Sequence, residues 1–331
     1  MNDCSPTAAS PTPASAEPPG PGPAVSRLGV AVSGGRDSIA LLHAVARQAK
    51  GTGLEVWALH VHHGLMPQAD DWWRAVEQQC LRWRRRGWPV AFAGERLAGE
   101  PGSGVSIEAW ARARRYAALA RMAHAHGISL VLLAQHRQDQ AETVLLQALR
   151  SGGPAGLSAM PRSVHRQGIQ WVRPWLDQPR SAIEAYVRRF RLRYADDDSN
   201  LDLRLGRGRL RSQVWKTFAE AFPQAEVALA GTARRMQEAA QCNAELAAMD
   251  LAKCELVGGA LDLASWALLS PARRANLLRH WSTQWGTKGM PETLIARLVA
   301  EAATARNGSR WPAPGGHLVR RKGLLSFCSE A

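Results

Sequence analysis

"LGVAVSGGRDS", residues 28–38, decides how the chain is read. An apolar run stops on a serine and two glycines, and Asp37 follows where most phosphate-binding loops place a lysine. The run suits a strand buried in a parallel sheet. A glycine-rich turn between strand and helix exposes backbone N–H groups, and the helix dipole adds partial positive charge, so such a turn holds phosphate. The pattern GxxxxGK(S/T) is absent, so no lysine reaches the terminal phosphates. A carboxylate repels phosphate, but it can hold a magnesium ion that bridges phosphate oxygens. That arrangement suits in-line attack at an α-phosphate, with pyrophosphate leaving through the cradle. The same residues also read as a tight turn in which Asp37 and Ser38 cap the next helix. Taken alone, the stretch leaves both readings open.

Strand and helix signals alternate from there onward. Ile39, Leu42, Val45 and Ala46 share one helical face after the turn. "EVWALHV", "PVAFAGE" and "ISLVLLA" read as further strands. Between them, Trp72, Val76, Cys80 and Trp83 recur at helical spacing and read as core rather than as base-stacking platforms. A long helix follows "PVAFAGE", with Ser106 as its N-cap and Glu108 in its first turn. Another helix is expected from about Ala141 and ends on glycines. This rhythm predicts an α/β fold, an open parallel sheet with helices on both faces. Ligands in such sheets sit at the carboxyl ends of strands, where both "SGGRDS" and "QHRQDQAET" fall. After about Trp215 the signals become helical, with a run from Glu226 to Glu255 and a compact module over 263–327. The expected division is a tail over 1–25, a nucleotide domain over 26–214, and a helical linker with a second domain over 215–331.

The 331 residues carry a formal net charge of +14, a field that attracts polyanions, nucleic acid first among them. Only five of the 42 cations are lysine, so compositional bias is a second source of the excess. Five scattered cysteines without a CxxC pair argue against a zinc ribbon, an iron–sulfur cluster or a disulfide scaffold. No apolar run has the length to span a bilayer. The Pro/Ala/Ser-rich start lacks the basic and apolar regions of a signal peptide, which points to a disordered tail and a cytoplasmic protein.

"AVSGGRDSIALL" resembles the PP-loop motif, SGGxDS, of the N-type ATP pyrophosphatases, which include GMP and NAD synthetases and several tRNA-modifying enzymes. Four further stretches narrow the resemblance. "LHVHHGL", "SIEAWARARRYAAL", "LLAQHRQDQAETVLLQALRSGGPAGLSAMP" and "DDDSNLDLRLGRGRLR" are similar to segments of the tRNA(Ile)-lysidine synthases, and "LSPARRANLLRHWSTQWG" with "GGHLVRRKGLLSF" to their substrate-binding domain. The resemblance implies a Rossmann-like PP-loop domain followed by a mainly helical substrate-binding domain. In that family ATP adenylates the C2 oxygen of the wobble cytidine of the CAU-anticodon isoleucine tRNA, and the ε-amine of lysine displaces AMP. A homodimer is compatible with it.

Carried onto this chain, the resemblance implies that Ser33, Gly34, Gly35, Arg36, Asp37 and Ser38 cradle ATP. Asp37 and Asp139 would be the catalytic pair, jointly holding magnesium. Arg112, Arg115, Asp139 and Glu142 would bind lysine, with Glu142 gripping the ammonium. Each has a plainer reading: Asp139 as a helix cap, Glu142 as a first-turn acid, and the two arginines as a solvated face. Arg204, Arg207, Arg209 and Arg211, and Arg320, Arg321 and Lys322, form two basic clusters suited to the tRNA backbone, or to ordinary surface charge. His60, His62, His63 and His136 lack the cysteine or carboxylate spacing of a metal site. The chain departs from the family at Gln135 and Gln138, where a histidine and an acid are usual, and at Gly208, where asparagine is. One substrate-binding module is expected here, where longer members have another. A thiolating relative would normally need paired cysteines, and a catalytically silent RNA- or nucleotide-binding relative is the remaining alternative.

Overall fold

In the structure, a computed structural model that describes residues 27–62, 64, 68–99, 107–195, 206–256, 258–285 and 289–329, the opening apolar run is strand β1 (Arg27–Ala31). Then follow α1 (Arg36–Gln48), β2 (Glu55–His62), α2 (Ala69–Arg85), β3 (Val90–Arg96), α3 (Ile107–Ala125) and β4 (Leu130–Leu132). After α4 (Arg137–Ala148) and α5 (Pro154–Leu157) come a hairpin, β5 (Ser163–Arg166) and β6 (Ile169–Val172), and α6 (Arg180–Phe190). Two compact units result. The first holds the described residues up to Ala134, Arg162–Pro174 and residues 181–195; the second holds Gln135–Pro161, Trp175–Arg180 and the described residues from 206 on. The tail over 1–25, His63, Ser106 and Arg204 lie outside the described residues.

The first unit contains one sheet in the order β3-β2-β1-β4-β6-β5. Its pairings are parallel except for β5 on β6, with Val30 opposite both Ala58 and Leu132. The α/β expectation therefore holds. Leu59, Val61 and Val131 pack on Ala118, Leu119, Met122 and Ala123 of α3, while Trp73 of α2 meets His60, one residue over on β2. From Ala58 to His62, β2 is thus buried on both faces, its two histidines included. The strand order reverses between β1 and β4, which makes their carboxyl ends the ligand-binding crevice of this sheet type.

The β5–β6 hairpin is an addition to the sequence reading. Its strands are too short to show a period, but Gln167 and Gly168 both have positive φ, 54° and 71°, as a two-residue hairpin turn needs. The helix expected from about Ala141 begins earlier, at Arg137. There the Asp139 carboxylate accepts the His136 backbone N–H at 3.0 Å and closes a capping box.

The second unit adds α7 (Gly206–Arg209), a π-helical turn over Leu210–Val214, α8 (Trp215–Ala221) and α9 (Ala225–Cys254). β7 (Leu261–Asp262), α10 (Leu263–Ala267), α11 (Pro271–Ser282) and α12 (Glu292–Glu301) precede β8 (Arg310–Ala313), β9 (Gly316–Arg321) and β10 (Leu324–Ser329). The 30-residue α9 is about 45 Å long at 1.5 Å per residue and carries α4, α5 and α11 along its length. Trp266, Leu277, Leu278, Trp281, Ile295, Leu298 and Trp311 form the core beneath an antiparallel sheet in the order β7-β10-β9-β8. The unit is mainly helical, as expected, with this small sheet at its end. No helix among the described residues is long and apolar enough to cross a membrane.

One buried group in the first unit titrates. His43 of α1 is enclosed by Trp83, Trp88, Tyr186 and Phe190, and its Nδ1 lies 2.8 Å from the Tyr186 hydroxyl. Burial, and then the nearby Arg47 charge, lower its pKa to about 4 from 6.5. The unfolded chain therefore takes up this proton first. Stability present above pH 6.5 is expected to fall as pH drops toward 4, by up to about 3 kcal/mol. Urea unfolding across that range checks it: His43→Gln should flatten the slope, and an unchanged slope refutes the assignment.

Candidate active site

In the first unit the turn after β1 is held by its own side chains. Gly34 sits at φ +95°, a conformation glycine alone adopts easily, although Trp72 and Val76 leave room for a Cβ at 3.6 Å. The buried Ser38 hydroxyl donates to the Gly35 carbonyl at 2.9 Å and accepts the Ser33 backbone N–H at 3.2 Å. The Gly35 N–H donates to Ser33 Oγ at 3.3 Å, and the Gly34 carbonyl accepts the Ala195 N–H at 3.0 Å. Gly35 caps α1 without a side-chain bond, so neither Asp37 nor Ser38 serves as the N-cap. Asp37, half-buried in the first turn, instead accepts from Arg36 Nε at 3.0 Å.

The neighbouring strand ends brace this turn. His60, buried at the end of β2, lies with Nδ1 2.8 Å from the Val32 carbonyl, and burial lowers its pKa, so the neutral ring donates. His62 lies 3.3 Å from Asp70 and accepts the Gly64 N–H at 3.2 Å. On α3, Arg112 is exposed and Arg115 half-buried, and both guanidiniums lie over the Tyr116 ring, at 5.6 and 6.0 Å from its centre. Among the described residues no group of three or more His, Cys, Asp or Glu side chains is placed to hold a metal. Magnesium needs fewer, since it takes one or two carboxylates and completes its shell with water and phosphate. A hard oxygen donor at Asp37, beside an amide-lined turn, fits that ion.

In the second unit, α4 brings Asp139 and Glu142 onto one face at i and i+3. Glu142 has no exposed surface. Its oxygens accept from Arg211 Nε at 2.8 and 2.9 Å and from Gln138 Nε2 at 2.9 Å, and Arg207 Nε lies 3.7 Å away. Arg211 also donates to Asp139 Oδ1 at 2.5 Å, and Arg207 to the Thr143 hydroxyl at 2.8 Å. Burial disfavours the Arg211 charge, but the hydrogen bonds and charges of Glu142 and Asp139 outweigh it and raise its pKa. Two of the arginines read as tRNA contacts thus point at the two carboxylates. Sequence gave no warning, because Arg211 stands 69 and 72 positions from its partners. Gln138, read only as a lost acid, is a ligand of Glu142. Arg209, Arg321 and Lys322 are exposed, and Arg320 is half-buried with Nη2 on the Ala303 carbonyl at 3.3 Å.

Comparison with known proteins bears on both units. Residues 16–218 match the PP-loop domain family, and residues 261–325 match the TilS substrate binding domain. A tRNA(Ile)-lysidine synthase of Polaromonas naphthalenivorans is 38% identical over 306 residues, which cover 92% of this chain and 90% of that one. The chain belongs to the tRNA(Ile)-lysidine synthase family. The synthase of Bordetella pertussis is 41% identical over 83% of this chain and 86% of its own, and that of Ralstonia nicotianae 42% identical over 85%. The chain spans 60% of the Ralstonia relative's length. Among solved structures, a U34-tRNA thiolase, NcsA, from Methanococcus maripaludis superposes with a TM-score of 0.54 at 14% identity, over 64% of this chain and 72% of that one, a likeness of fold.

Two outcomes follow for this lysidine synthase family member. Gly34→Ala forces a Cβ into the left-handed region at a strain of about 1–3 kcal/mol. ATP titration should show weakened binding with the circular dichroism spectrum retained; undiminished affinity means the turn does not carry the nucleotide. Arg211→Met leaves the buried Glu142 carboxylate short of its main cation and is expected to cost about 3 kcal/mol. A urea midpoint that does not move excludes that pairing as a stabilising contact.

Proposed function

We propose that this chain joins L-lysine to C2 of the wobble cytidine of the CAU-anticodon isoleucine tRNA at the expense of ATP. The cytidine C2 oxygen attacks the α-phosphate of ATP and pyrophosphate leaves. The lysine ε-amine, having given up a proton, then attacks C2, and AMP departs with the oxygen, leaving lysidine. The observation that carries this reading is the glycine turn at the carboxyl end of β1, in a chain that aligns with one lysidine synthase over 92% of its length. The cytoplasm, which holds tRNA, ATP and lysine together, is the compartment that suits it.

Roles follow from the chemistry of each group. The backbone N–H groups of the turn and of the first turn of α1 suit phosphate, except those of Ser33 and Gly35, which the Ser38 and Ser33 hydroxyls take. In the first unit Asp37 would hold magnesium, which when bound offsets phosphate charge and polarises the α-phosphate; in the second unit Asp139 is the other carboxylate suited to that role. Glu142 would receive the lysine ammonium in exchange for one of the donors that now hold its buried oxygens, Arg211 or Gln138. Arg112 and Arg115 suit the lysine carboxylate or a phosphate. Arg204, Arg209, Arg321 and Lys322 suit the tRNA backbone, where they supply affinity without reading sequence.

The test is mass analysis of the tRNA after incubation with ATP and labelled lysine. Lysine in the tRNA, with AMP and pyrophosphate released, is the expected result. Asp37→Asn should lower pyrophosphate release by about 100-fold or more and leave tRNA affinity unchanged. Turnover without lysine incorporation points to another nucleophile, and equal loss of release and tRNA affinity makes Asp37 structural.

A further inference from the structure

The SGGxDS motif leaves its fourth position open, and here that position is Arg36. Its side chain is only 17% exposed and bridges two carboxylates of the first unit. Nε donates to Asp37 Oδ1 at 3.0 Å, and Nη1 donates to Glu184 Oε1 of α6 at 2.7 Å. Glu184 carries no motif and lies 148 positions away. These bonds use different sides of the guanidinium. Nε belongs to the edge that it forms with Nη2, which matches two oxygens of a phosphate, whereas Nη1 lies outside that edge.

The contact with Asp37 and the role proposed for Asp37 compete. A divalent cation on a carboxylate repels a guanidinium on the same group, so a metal-bound triphosphate weakens the Arg36–Asp37 bond. The same triphosphate offers new acceptors to the edge that is released, while Glu184 still holds Nη1 and restricts its swing. We propose that Arg36 is a phosphate ligand that exchanges Asp37 for the β- or γ-phosphate of the bound nucleotide, with Glu184 as its tether. The cation missing from the usual lysine position is then supplied from within the turn. Arg36 also becomes a ligand for departing pyrophosphate, and one that AMP does not engage. This rests on the nucleotide reading above.

Calorimetric titration of the full chain with ATP, inorganic pyrophosphate and AMP, magnesium present throughout, tests it. Arg36→Leu should weaken ATP and pyrophosphate by about 10- to 100-fold and leave AMP unchanged. Arg36→Lys keeps the charge but loses the two-pronged edge, so pyrophosphate should weaken by about 10-fold with AMP again unchanged. Glu184→Gln should weaken ATP by about 3- to 10-fold, and add nothing in the Arg36→Leu background. AMP weakened as much as ATP would make Arg36 a scaffold of the turn, and unchanged ATP and pyrophosphate would remove it from the phosphates. Either result overturns the proposal, as does full additivity with Glu184→Gln. Wild-type protein that binds ATP no more tightly than AMP would instead remove the nucleotide reading itself.

Discussion

A carboxylate with no exposed surface cannot remain charged unless cations and donors replace its water, and Glu142 is such a group. That constraint organises the second unit around α4. It pulls Arg211, on the π-helical turn, onto Glu142 and Asp139, and sets Arg207 beside them. The π-turn is therefore a structural consequence as much as a local oddity: single wide turns of this kind appear where a helix must re-aim a side chain at a functional group. The capping box at His136 fixes the other end of the same carboxylate pair.

The first unit solves a different electrostatic problem. Under the proposed reading its turn would receive a polyanion without the usual lysine, through backbone geometry. Gly34 takes the left-handed conformation, Ser38 ties the turn closed, and the neutral His60 holds the Val32 carbonyl at the strand's end. Each of these groups is uncharged. The only charges in the turn, Arg36 and Asp37, are paired with each other, and Arg36 also with Glu184 of α6. A turn built this way shows little net charge at rest and still has a cation and a carboxylate to offer.

The sheet was legible because long apolar runs and glycine turns are local signals. Ile39, Leu42 and Ala46 on α1, and Val76, Cys80 and Trp83 on α2, are buried as their spacing predicts. The glycine turn after β1 was legible for the same reason, since its residues are contiguous. The hairpin over 163–172 escaped because four-residue strands carry no measurable period, and only the Gln167–Gly168 pair marks it. Arg211 with Glu142, and Arg36 with Glu184, escaped because ion pairs across 69 and 148 positions leave no trace in spacing. A basic cluster in a chain of +14 net charge reads naturally as a footprint for nucleic acid. Burial of its acidic partners is what distinguishes Arg207 and Arg211 from that background.

The departure from the family pattern at Gln138 makes sense as charge balance. Gln138 Nε2 donates to Glu142 Oε1 at 2.9 Å inside a buried cluster that already holds two carboxylates, Asp139 and Glu142, against Arg207 and Arg211. An aspartate at 138 would set a third negative charge against a group with no access to water, and a further cation would have to accompany it. The amide removes that requirement and adds a donor, so the Glu142 oxygens are matched with fewer positive partners. An acid at this position and a glutamine thus belong to two different balances of charge around one carboxylate, and the choice of glutamine is tied to the arginines that α7 and its π-turn deliver.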